Sequence, residues 1–176
     1  MEKNIDWTDI RYLLEGDTIQ KQVYKAIHNC RAMELLAAFD PVLTGTYPIG
    51  IYLPDSDIDI ICAFSRQAFF ENVVLNAFAY HDDFNIIHKL IRGEECIIAR
   101  FKHSGFLFEV FGQEKPVNEQ YAFRHMIVEH RLLAENDALF RKKILSLKEK
   151  GLSTEEAFCT LLGIEGDPYE NLLQFE

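Results

Sequence analysis

The sequence is poor in everything that would staple, anchor or extend a chain. Its four cysteines, Cys30, Cys62, Cys96 and Cys159, lie far apart with no Cys-x-x-Cys pair. That spacing argues against a disulfide framework or a finger-type zinc site and for buried, reduced thiols. No apolar run reaches the roughly 18 residues of a membrane-spanning helix, and the opening MEKNIDWTDIRY has no signal-peptide pattern. The expectation is a cytoplasmic protein with no membrane partner. Repeats, low-complexity tracts and Ser/Pro linkers are missing too, which predicts a single domain over 1–176, with a sheet core at about 42–111 and a helical part at about 116–176. Basic residues are scarce: 18 Lys and Arg face 28 Asp and Glu, a net charge of −10. A broad duplex nucleic-acid surface needs clustered cations and is therefore excluded, so a phosphate-bearing partner would require a local device.

What is present is apolar and aromatic. Hydrophobic residues make up 48% of the chain, with 14 Phe and 7 Tyr, which excludes intrinsic disorder and predicts an aromatic core. Helical spacing marks residues 8–14 and then 18–39, opened by Asp17-Thr18 and stopped by Asp40-Pro41. A short apolar piece at 42–44 precedes a Gly/Pro-rich connection, and residues 57–64 read as a strand. Ser65 opens a helix over about 66–80, and three further strands follow at about 84–91, 95–102 and 106–111, separated by Gly93 and Ser104-Gly105. From Asn118 the pattern is helical to the end. Helices, then a mixed sheet of four to five strands, then helices describe an α+β or α/β layered unit.

Chemistry concentrates in residues 45–61. On a strand over 57–64, Asp57 and Asp59 share one face about 7 Å apart, while Ile58 and Ile60 enter the other. Two carboxylates aimed at one point repel, and a hard cation such as Mg²⁺ or Mn²⁺ between them removes the conflict. The alternative is a pair of solvated acids where the strand begins. An EF-hand loop starting at Asp55 is excluded, because its sixth and twelfth positions would be Ile60 and Arg66 instead of Gly and Glu. Gly45 frees the backbone and Thr46 adds a hydroxyl, so a turn there can offer N–H and O–H donors to phosphate, and Gly50 permits a second close approach. Alone, Gly-Thr is ordinary loop punctuation. Here it precedes the two acids by eleven and thirteen residues.

At these residues the chain resembles the nucleotidyltransferase superfamily typified by DNA polymerase beta, whose pattern is Gly-Ser, a further Gly, then Ser-Asp-x-Asp on the next strand. Gly45-Thr46, Gly50 and Ser56-Asp57-Ile58-Asp59 match it without a gap. The whole chain is also similar to a bacterial family of nucleotidyltransferase-like proteins, which implies the fold and names no substrate. The resemblance implies an α+β fold with a nucleotidyltransferase-like mixed sheet, two Mg²⁺ or Mn²⁺ ions on Asp57 and Asp59, and phosphate contacts from Gly45, Thr46, Gly50 and Ser56. The implied activity is transfer of a nucleoside monophosphate from an NTP to an acceptor hydroxyl. A non-catalytic binding module of this fold, or a toxin–antitoxin-type module with a protein partner, is the alternative.

Two-metal phosphoryl transfer generally takes a third carboxylate from a neighbouring strand. Glu109, a lone acid in Phe106-Leu107-Phe108-Glu109-Val110-Phe111, is the candidate catalytic and metal-binding residue; a solvent-facing Glu on an edge strand is the alternative, with Glu94 and Glu95 behind it. Residues 114–150 carry eight basic residues against six acids, a net +2 where the rest of the chain is −12. On a helix there, Arg124 and His125 would face the cleft and meet phosphate or acceptor, or else form ion pairs on a packing helix.

Overall fold

The computed structural model describes residues 5–176. Five strands, β1 (Val42–Thr44), β2 (Ile58–Ala63), β3 (Asp82–Ile91), β4 (Glu94–His103) and β5 (Phe106–Gln113), form one mixed sheet in the order β1-β2-β5-β4-β3. β2 and β5 run parallel and the other neighbours antiparallel. Helices α1 (Thr18–Asn29), α2 (Ala32–Leu35) and α3 (Gln67–Phe78) belong to the first half of the chain, and α4 (Tyr121–Glu135), α5 (Ala138–Glu149), α6 (Thr154–Leu162) and α7 (Pro168–Asn171) to the second. This is the expected α+β architecture with five strands.

Two apolar clusters flank the sheet. In the first, α1 and α3 pack on the face that carries Ile58, Ile60, Phe108 and Val110, each fully buried. Phe70 of α3 lies so close to β5 that a Cβ on Gly112 would stand 2.2 Å from its ring, which explains a glycine in that strand. The second cluster joins α4, α5, α6 and the C-terminal Leu172–Phe175 turn with Ile49 and Ile51. Burial of each large side chain contributes about 1.5–3 kcal/mol. The four cysteines are buried free thiols, and no helix among the described residues is long and apolar enough to cross a membrane.

Several boundaries differ from the sequence expectation. The pattern over 18–39 is not one helix: α1 ends at Asn29, Arg31 takes a left-handed φ of 56°, and the chain restarts as α2 and a 3-10 turn. The break brings Phe39 under α3, its ring 4.9 Å from that of Phe70. Apolar spacing records which residues are buried but not that the axis bends between them. Ser65 does not cap α3, whose N-cap Arg66 forms no side-chain capping bond. Residues 8–14 form a 3-10 helix displaced to Ile10–Glu15, with Asp9 accepting from Arg11 N–H. β2 begins at Ile58, leaving Asp57 just outside it.

Candidate active site

The face of the sheet opposite α1 and α3 is the wall of a cavity of about 730 Å³, closed on its other side by α4, α6 and Tyr169-Glu170. Strand alternation decides what lines it. With Ile58 and Ile60 turned into the apolar cluster, Asp59 and Ile61 of β2 face the cavity, as do Glu109, Phe111 and Gln113 of β5. In the parallel β2–β5 ladder Asp59 is the direct neighbour of Glu109, and across β1 it pairs with Thr44. The two carboxylate-bearing backbones are therefore about 4.8 Å apart.

Asp59 is the most perturbed acid of this wall. Burial, then the charges of Glu109 and Asp57, push its pKa up to about 8, against the opposing pull of Arg100 and Lys148. Asp57 is raised as well, by burial first and then by Glu109. Glu109 is in turn held by Arg100, its partner in the β4–β5 register: Nε and Nη2 donate to Oε2 at 2.7 and 2.6 Å. The donor chemistry fits a hard divalent cation, since all three groups are oxygen acids and Arg100 and Lys148 only partly offset the charge at Asp59. Among the described residues, however, no three His, Cys, Asp or Glu side chains are already arranged as a metal cage. Arg100 lies where a sequence argument had no reason to look. It is an outward residue of an adjacent strand, and only the ladder register places it beside Glu109.

The Gly45–Ile51 segment is a loop held from several sides. Gly45 has φ +74°, and a Cβ there would sit 2.2 Å from Asp59 Oδ2, so only glycine permits the close approach. Thr46 lines the cavity beside it and bonds Ser56 Oγ at 3.4 Å, while Ser56 Oγ accepts from Leu53 N–H at 2.8 Å. Ser56 thus shapes the turn and does not line the cavity. Gly50, also outside the cavity wall, has its carbonyl and that of Ile49 bound by Arg141 Nη1 at 3.0 and 2.7 Å. Lys148 Nζ donates to Ile51 O at 2.8 Å, and Gln20 Nε2 to Tyr47 O at 2.8 Å. Three side chains therefore hold four carbonyls of the loop, and the basic residues of α5 act on it from behind.

The expectation for Arg124 and His125 divides. His125, 4% exposed, lines the cavity; its Nε2 donates to Tyr169 O at 2.8 Å and its Nδ1 lies 3.4 Å from Glu155. Arg124 is absent from the wall and forms a bidentate pair with Glu176 at 2.6 and 2.8 Å. The cavity takes the side of α4 that carries His125, Met126 and Glu129, and Arg124 lies on the flank turned to Glu176. The cations that line the cavity are Arg92 and Lys115 instead. Arg92 lies 4.2 Å over the Tyr121 ring and pairs with Glu170, and Lys115 pairs with Glu94 at 2.5 Å. Glu94 therefore reaches the cavity from the other end and plays no part beside Asp59. Thr44 Oγ1 and Gln120 Oε1, both on wall residues, are buried without a hydrogen-bond partner. Turn and helix-start positions gave no signal for any of these in the sequence.

The fold is similar to that of several solved structures. Cid1 poly(U) polymerase bound to MgGTP is similar with a TM-score of 0.55 at 13% identity, over 79% of this chain and 46% of that one. The polymerase core of TRAMP, an RNA surveillance complex, is similar with a TM-score of 0.51 at 16% identity, over 94% of this chain and 60% of the other. The chain thus spans about half the length of Cid1. It belongs to the family described as Domain of unknown function (DUF4269), which matches residues 25–175. No curated protein matches its sequence.

Proposed function

We propose that the protein is a nucleotidyltransferase that moves a nucleoside monophosphate from an NTP to an acceptor hydroxyl. The observation that carries the reading is the register: Asp59 beside Glu109 on parallel strands, with the Gly45 backbone against the Asp59 carboxylate, at the wall of a cavity large enough for a nucleotide. Asp57 and Asp59 would hold Mg²⁺ or Mn²⁺, with Glu109 joining once Arg100 releases it. Such ions, two in enzymes of this fold class, supply charge neutralisation and in-line orientation of the phosphates. Gly45 and Thr46 present backbone N–H and a hydroxyl to the β- and γ-phosphates; Gly50 and Ser56 act one step back, by shaping that loop. Glu109 receives the proton of the acceptor hydroxyl. Lys115 and Arg92 offer the cavity's positive charge to the nucleotide, a part the sequence had suggested for Arg124. Cid1, of the same fold, binds MgGTP, which supports nucleotide as the ligand class.

The test is incubation with each radiolabelled NTP and Mg²⁺, alone and with candidate acceptors, beside Asp57→Asn and Asp59→Asn. Metal-dependent binding and label transfer, lost in both variants, is the expected result. No metal-dependent nucleotide binding, or variants indistinguishable from the parent, would overturn it. One observation favours a second reading, a non-catalytic module: the Arg100–Glu109 pair occupies the third carboxylate. That reading predicts nucleotide binding without turnover under every acceptor tried.

A further inference from the structure

Six acids line the cavity, and sorting them by partner leaves two over. Glu109 is taken by Arg100, Glu94 by Lys115, Glu170 by Arg92 and Tyr121, and Glu155 by His125. Asp59 belongs to the proposed metal end. Glu129, in the middle of α4, is 4% exposed, lines the cavity, and forms no hydrogen bond or ion pair among the described residues. A carboxyl group so desolvated and unpartnered costs several kcal/mol if charged, about 1–3 if neutral and unbonded.

Its surroundings state what would satisfy it. Glu155 on α6 adds a second carboxylate whose field acts on Glu129, and Lys148 attracts it without forming an ion pair, its Nζ being committed to Ile51 O. A phosphate or carboxylate would be repelled there, and an apolar group would leave Glu129 desolvated. A cation supplies Glu129 with the partner it lacks, while Glu155, already held by His125, adds its attraction, and the Tyr169 ring lies on the same wall. We propose that the Glu129–Glu155 end of the cavity is a subsite for a protonated amine, so that the acceptor is an amine-bearing alcohol. The word acceptor rests on the transferase reading; the amine site does not.

The test uses the full chain labelled with ¹³C-methyl methionine in saturating Mg²⁺ and without NTP. Met126 lines the cavity one turn from Glu129, and Met33 lies outside it as an internal control. Aminopropanol and aminopentanol are titrated against propanediol and pentanediol. The amino alcohols should shift Met126 and not Met33, and bind about tenfold or more tightly than the diols, the factor that one charge-assisted hydrogen bond supplies. Glu129→Gln should lose that preference, Glu155→Gln should weaken it, and Asp59→Asn should leave it in place. Diols that bind as well as amines, unchanged amine binding in Glu129→Gln, or loss in Asp59→Asn alone would overturn the proposal. Because NTP binding is measured separately, amine binding without NTP binding overturns the transferase reading only, and the converse overturns the amine site only.

Discussion

Replacing Glu129 with Gln should change how stability depends on pH, in a direction fixed by burial. In the folded chain desolvation, with a further push from Glu155, raises the Glu129 pKa to about 8, from 4.5 unperturbed, while Lys148 pulls the other way. The folded state therefore holds a proton that the unfolded state releases between these two values. Stability from this group is fully present below about pH 4.5 and is lost as pH rises towards 8. At about 1.36 kcal/mol per pH unit of full protonation difference, the loss from pH 5 to pH 7 amounts to at most about 2.5 kcal/mol. For a chain of this length each kcal/mol moves Tm by about 2–4 °C, giving a ceiling of about 5–10 °C. The amide introduced by Glu129→Gln mimics the neutral carboxyl and abolishes this component, since His125, Glu155 and Lys148, the other titratable groups around it, stay in both proteins. Scanning calorimetry from pH 5 to pH 8 should show the parent losing Tm relative to Glu129→Gln as pH rises. Parallel curves for the two proteins would refute the reasoning.

Three further outcomes follow from the site. Gly45→Ala puts a Cβ 2.2 Å from Asp59 Oδ2 at φ +74°; the backbone conformation alone costs about 1–2 kcal/mol, so thermal denaturation should show a clear loss of Tm and equilibrium dialysis a loss of Mg²⁺-dependent NTP binding, whereas Gly50→Ala, 3.3 Å from the end of the long Arg141 side chain, should keep more of both. Lys148→Met strands the Ile51 carbonyl bonded at 2.8 Å, a cost of about 1–3 kcal/mol that urea denaturation should register. Arg100→Gln frees Glu109 from a half-exposed pair worth about 1 kcal/mol at most; Mn²⁺ affinity followed by electron paramagnetic resonance should rise by roughly fivefold or less, and a fall would mean that Arg100 helps to build the site.

Local chemistry was readable wherever it depended on spacing along the chain. The strands at 58–63, 94–103 and 106–113 and the later helices follow from apolar periodicity and from glycine and serine punctuation, with Asp57 and Asp59 standing out as a spaced pair of acids and Glu109 as a lone acid in an apolar strand. Residues whose positions depend on the third dimension were not readable. Arg124 looked as suited to phosphate as any arginine, but its helix face turns it to Glu176. Arg92, Lys115 and Gln120 come from a turn, a strand exit and a helix start, where no periodicity distinguishes a cavity wall from open surface.

By itself the sequence determined the layered α+β fold and singled out the acids of β2 and β5 and the glycine before them, because two-residue strand alternation and the Gly45 backbone requirement are properties of neighbouring residues. The tertiary structure alone decided which cations meet which acids: β4–β5 register gives Arg100 to Glu109, α5 lays Arg141 and Lys148 behind the loop, and the facing of α4 and α6 buries Glu129 without a partner. Electrostatic pairing acts over a few ångströms through space. Residues as far apart in the chain as Ile51 and Lys148, separated by 97 positions, acquire that proximity only when the sheet and helices close on one another.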